Sequence, residues 1–165
     1  SSGTTCSGSG VSIGARISTL LNAISGTIAG PFATAMIFAD SASGSQSTGL
    51  WLDCSTGGIG VYSPPASADS GSYLGRGWAT SRTYFSGCAT GYSLNSPSTS
   101  YAKVNIFNNV TNAFVLTAGA RMVIETPTFN TVTNELTVDG TVYTNANLTT
   151  FTRITGPQGS YAASP

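Results

Sequence analysis

Asp139-Gly140 lies in the stretch NELTVDGTVYTN, residues 134–145, between alternating apolar and polar residues. Leu136 and Val138 precede the pair and Val142 follows it. A type I′ turn needs positive φ at both central residues, which Asp-Gly supplies, so the stretch predicts a β-hairpin. A hairpin joins antiparallel strands, whereas parallel neighbours need a long crossover. This feature directs the rest of the reading toward antiparallel β structure.

The tail half reads as β throughout. YAKVNIFN, AFVLTA, ARMVIET, NELTVD, TVYTN and TTFTRI are short strand-like runs separated by turn residues. Earlier, FATAMIFAD, GLWLDC and GIGVYS read the same way, and GWATSRTYF is a further candidate. Short strands with frequent turn signals predict a sandwich or barrel, not a βαβ fold. No internal repeat is evident. One segment reads as helix: Ile13, Ile17, Leu20, Leu21 and Ile24 form an apolar stripe over 12–25, with Gly26 and Gly30-Pro31 as stop signals. The expected fold is all-β: an antiparallel β-sandwich, jelly-roll-like, with one N-terminal amphipathic helix. Residues 1–10 read as a flexible lead-in, 11–155 as one domain and 156–165 as an extended tail. Residues 63–100 read as long loops carrying Tyr73, Trp78, Tyr84, Phe85 and Tyr92. Loops of this length in a compact domain usually bind or form interfaces.

Charge narrows the function classes. Only 7% of the 165 residues are charged, with six basic and six acidic side chains. The basic residues are scattered singly, so no patch for nucleic acid is expected. Polarity comes instead from Ser, Thr, Asn and 20 Gly. Such a surface suits an extracellular protein or an assembly subunit more than a soluble cytosolic monomer. No apolar run is long enough for a membrane-spanning helix. The chain begins at Ser1 with no leader, which points to a processed or trimmed product. Of Cys6, Cys54 and Cys88, at most one internal pair can form. Cys54–Cys88 is the natural pair, and three free thiols acting as small apolar residues are the alternative. Asn109-Val110-Thr111 and Asn147-Leu148-Thr149 match glycosylation sequons.

Catalytic signals are weak. The chain has no histidine, which removes the commonest general base, and with no close cysteine pair it offers no metal site. A glycosidase needs two carboxylates across a cleft. Asp53 and Glu125 are the pair that strand-like segments would allow, while Asp40, Asp69, Glu135 and Asp139 border turns and strand ends. No Gly-x-Ser-x-Gly elbow is present, and the glycines at 57–60 lack a P-loop lysine. No enzyme activity and no cofactor are expected. The aromatics between 73 and 92 suit a sugar platform, since rings stack on apolar sugar faces while Asn, Asp and Arg bind hydroxyls. They equally suit a core end or a subunit interface.

Two stretches carry a resemblance. GLWLDCSTGGIGVYSPP (49–65) reads as strand–turn–strand. AFVLTAGARMVIETPTFNTVTNELTVDGTVYTN (113–145) places Arg121-Met122-Val123 ahead of Leu136-Thr137-Val138-Asp139-Gly140-Thr141-Val142. Together they resemble parts of a small RNA-virus jelly-roll capsid protein of the nodavirus-like kind, over roughly half the chain. The resemblance implies a virion subunit. It departs from that pattern in lacking a basic arm and in ending soon after Arg153, which would make it a cleaved piece completed by another chain.

The leading expectation is therefore a structural subunit of a virion, packing against copies of itself and other virion chains. The expected contact residues are Ile13, Ile17, Leu20, Leu21 and Ile24 on the helix and Tyr73, Trp78, Tyr84 and Phe85 in the loops. The alternative is a carbohydrate- or receptor-binding β-sandwich, extracellular or on a phage.

Overall fold

A computed structural model describes residues 13–17, 24–38, 46–55, 57–63, 79–95, 99–117, 120–139, 142–144, 151–156 and 161–162. These residues form fifteen strands and no helix. In chain order they are β1 (Ile13–Ile17), β2 (Ile24–Ala29), β3 (Thr34–Phe38), β4 (Gln46–Asp53) and β5 (Ile59–Ser63). Then come β6 (Ala79–Ser81), β7 (Tyr84–Ser86), β8 (Thr90–Leu94), β9 (Thr99–Lys103) and β10 (Ile106–Thr117). The last are β11 (Arg121–Glu125), β12 (Thr128–Asp139), β13 (Val142–Thr144), β14 (Ile154–Thr155) and β15 (Tyr161–Ala162).

Every described strand pairing is parallel, and the chain winds as a β-solenoid. Three rows of strands stack coil upon coil. The first row runs β1, β3, β5, β8, the second half of β10, the second half of β12, then β14. The second runs β2, β4, β7 and the first halves of β10 and β12. The third runs the start of β4, then β6, β9, β11, β13 and β15.

This overturns the antiparallel jelly-roll sandwich. β12 and β13 flank Asp139-Gly140 but do not pair with each other; each pairs with strands one coil away. β12 ends at Asp139 in the first row and β13 begins at Val142 in the third, so they are not the two arms of a hairpin. The helix over 12–25 is also corrected: Ile13–Ile17 and Ile24–Ala29 are strands. Residues four apart share a face on a strand as well as on a helix, so Ile13 and Ile17 fitted both patterns. Residues 18–23, including Leu20 and Leu21, lie outside the described residues, as do the lead-in at 1–10 and the tail at 157–160 and 163–165. Within that expected tail, Tyr161–Ala162 forms β15 and pairs with β13.

A repeat was present after all. RTYFSGC (82–88), VNIFNNV (104–110) and TPTFNTV (126–132) occupy the same place in successive coils at a 22-residue step. Each coil turns at backbone positions held in the left-handed region. One such column is Gly49 (φ 70°), Arg82 (φ 54°), Val104 (φ 50°) and Thr126 (φ 50°). A second contains Ser55 (φ 57°), Gly87 (φ 64°), Asn109 (φ 54°) and Thr131 (φ 55°). Glycine and asparagine adopt this conformation readily, but arginine, valine and threonine do so against their preference. The corners therefore carry no consistent turn residue.

The interior is built of columns of like side chains. In the second row, Leu52 lies under Phe85, Phe85 under Phe107 and Phe107 under Phe129. Phe85 and Phe107 stack with ring centroids 4.8 Å apart and planes 5° from parallel. In the first row, Val61, Tyr92, Phe114 and Leu136 form a matching column. The two columns meet edge to face, as at Phe107 and Phe114, 4.9 Å apart. Small residues make room for them: a Cβ built on Gly91 would sit 2.5 Å from the Phe107 ring. The third row closes the cross-section with smaller side chains, Ser47, Thr80, Ala102 and Ile124, all buried. There the Thr80 hydroxyl and the Tyr92 phenol share a hydrogen bond of 2.5 Å. Burial pushes the Tyr92 phenol well above its ordinary value, and the hydroxyls of Thr80 and Thr83 offset this only in part.

Two devices fasten coils together. Cys54 and Cys88 form a disulfide between β4 and the turn after β7, closing a separation of 34 residues. Glu135, in β12, is buried beneath residues 152–153. Its Oε2 accepts hydrogen bonds from the Thr152 and Arg153 backbone N–H groups at 2.6 and 3.3 Å. Its Oε1 accepts from the Thr152 hydroxyl at 3.0 Å and from Arg153 Nη2 at 2.8 Å. Burial pushes the Glu135 carboxyl up, but these donors outweigh it and hold the group below the ordinary 4.5.

Candidate functional site

Strand residues alternate between the two faces of a sheet, so each interior column of the second row has an exterior neighbour. Outside the phenylalanine column lies another, in register: Thr27, Trp51, Tyr84, Ile106 and Thr128. Trp51 is 50% exposed and Ile106 37%, and Tyr84 is half-buried. The Trp51 and Tyr84 rings lie 4.5 Å apart at 47°. An exposed tryptophan held against a tyrosine is a ready-made stacking surface.

Two residues further along each strand runs a polar column: Asp53, Ser86, Asn108 and Asn130. Asp53 is half-buried, and one carboxylate oxygen accepts a hydrogen bond from the Ser55 N–H at 2.9 Å. On the opposite side of the rings are Gly49, with nothing within 4 Å of its Cβ position, and the exposed Arg82. The outer surface of the second row is thus a shallow shelf: apolar rings in the middle, hydroxyl, amide and carboxylate groups along one edge, an open corner along the other. Asp53 and Arg82 are the charged groups among these described columns.

The expected site residues are dispersed. Tyr84 stands on the shelf. Phe85, one residue on, is fully buried in the stacked column and reaches no partner. Ile13 is exposed on β1, and Ile17 and Ile24 fall in β1 and β2, so no helical contact stripe exists among them. Tyr73, Trp78 and Asn147 lie outside the described residues, as does Cys6. Asn109 is exposed at a left-handed corner. The pair Asp53 and Glu125 is not brought together: Asp53 belongs to the second row, while Glu125 sits in the third and pairs with Lys103 at 3.1 Å. Among the described residues no cluster of three His, Cys, Asp or Glu side chains forms a metal site, and no helix is long and apolar enough to cross a membrane.

Trp51 was missed by the sequence reading. GLWLDC reads as strand, and alternation puts Leu50 and Leu52 on one side and Trp51 on the other. That pattern marks Trp51 as the outward residue, and only the pairing of β4 with β7, 33 residues on, places Tyr84 beside it. No protein-family profile, curated protein or solved structure matches the chain.

Proposed function

We propose that this chain is an extracellular β-solenoid that binds carbohydrate on the outer surface of its second row, without catalysis or cofactor. The observation that carries the reading is the exposed Trp51–Tyr84 pair beside the polar column of Asp53, Ser86 and Asn108. Aromatic faces take the apolar side of a sugar ring, and the neighbouring carboxylate, hydroxyl and amide take its hydroxyls. The Cys54–Cys88 disulfide supports an oxidising compartment. A glycan array probed with the chain and with Trp51→Ala tests this. Binding that the substitution abolishes supports the reading, and a blank array defeats it.

A second reading keeps the chain as a structural subunit, in a virion, that packs against copies of itself. The exposed apolar side chains at one corner favour it: Tyr101 at 38%, Val104 at 48% and Ile106 at 37%. Burial between subunits would remove that surface from water. Light scattering on the native chain decides it: a large assembly supports this reading and a 16.7 kDa monomer defeats it.

A further inference from the structure

Resting on the carbohydrate reading, we infer which sugars the shelf takes and how they lie: a neutral, extended polysaccharide with equatorial linkages, its chain running along the solenoid axis. The rings and the polar groups are both arranged in columns across coils, not along strands. Trp51, Tyr84 and Ile106 succeed one another through strand pairing, and so do Ser86, Asn108 and Asn130. Paired strands lie about 4.8 Å apart, close to the length of one sugar residue. A straight chain of equatorially linked sugars therefore sets about one ring on each rung, apolar face on the ring column and hydroxyl edge on the polar column. A chain lying along one strand would meet Trp51 and then the polar edge, leaving Tyr84 and Ile106 unused. Charge selects for neutral sugars. Asp53 on the polar edge and Arg82 on the opposite corner are the charged groups of these columns, so an acidic sugar on the polar edge meets a like charge and no cluster of cations.

The rungs give a length test. Asn130 is three rungs beyond Asp53, roughly 14 Å at strand spacing. Calorimetric titration with cello- and chito-oligosaccharides of two to six sugars compares the native chain with Trp51→Ala and Asn130→Ala. Native affinity should rise with length to about four sugars and then level off. Trp51→Ala should weaken every length at least tenfold. Asn130→Ala should leave the disaccharide unchanged and weaken the tetramer and longer by about threefold to tenfold. If Trp51→Ala weakens binding but Asn130→Ala changes no length, the axial placement is wrong and the carbohydrate reading stands. If the array finds a ligand but neither series binds, the sugar class is wrong. If no glycan binds at all, both readings fall. Circular dichroism of each variant separates lost binding from lost folding.

Discussion

Two columns on the same strands, one residue apart, meet opposite fates. Leu52, Phe85, Phe107 and Phe129 point into the solenoid; Trp51, Tyr84, Ile106 and Thr128 point out. Both are stacked by the same coil-to-coil pairing, 33 residues from β4 to β7 and 22 at each later rung, so stacking alone does not distinguish core from surface. The inner column gains from removal from water, complete at Leu52, Phe85 and Phe107, and from ring contacts with the neighbouring row. The outer column gains little in folding, since Trp51 remains half exposed. Large apolar side chains kept on the side that contributes least to stability suggest a use other than stability.

The comparison breaks most visibly at Phe107. It is fully buried and contacts Phe85, Tyr92, Phe114 and Phe129. Phe107→Ala should cost about 3–5 kcal/mol in chemical denaturation. A loss below about 1 kcal/mol would mean the inner column is not the core. The disulfide comes next. Cys54→Ser with Cys88→Ser frees a 34-residue separation and should cost about 3–4 kcal/mol by the loop-entropy estimate. Equal denaturation midpoints with and without reductant would refute that.

The third test concerns the last described coil. Glu135→Gln removes a buried charge that receives five hydrogen bonds and should cost about 2 kcal/mol at neutral pH. Because the folded carboxyl titrates below 4.5, its contribution is complete above that value and is lost as pH falls through the lower folded value. The native chain should therefore lose stability on acidification below about pH 4.5, and Glu135→Gln should lose less over the same window. Parallel pH profiles for the two proteins would place the acid sensitivity elsewhere.

Strand positions were legible in the sequence because alternation is local. FATAMIFAD, GLWLDC and GIGVYS each hold a strand. Strand partnership was not legible, because alternation is the same in parallel and antiparallel sheets. Asp139-Gly140 carried the wrong weight: Asp-Gly favours turns of many kinds, and a turn signal alone does not say which strands pair. The discriminating signal was the repeat, and substitution had blurred it. Only the phenylalanines at 85, 107 and 129 stay constant in the segments beginning at 82, 104 and 126. The corners hid it further, since Arg82, Val104 and Thr126 hold a left-handed turn without glycine or asparagine. Hence Val104→Asn, at an exposed corner, should stabilise the fold by about 0.5–1 kcal/mol. Destabilisation in thermal melts would show that the valine is held there by contacts worth more than the strain.

Trp51 gives the sharpest test of the comparison. Trp51→Ala removes a ring that is half in water and touches Tyr84 on one side. The lost burial and ring contact should together come to about 1–2 kcal/mol. The same substitution one position along, Leu52→Ala, removes a fully buried side chain and should cost about 2–5 kcal/mol. If the outer column exists for binding, Trp51→Ala will separate the two readouts, with the melting curve moved much less than by Leu52→Ala and the glycan signal gone. If instead both substitutions destabilise alike, the outer column is structural, and its exposure implies no ligand.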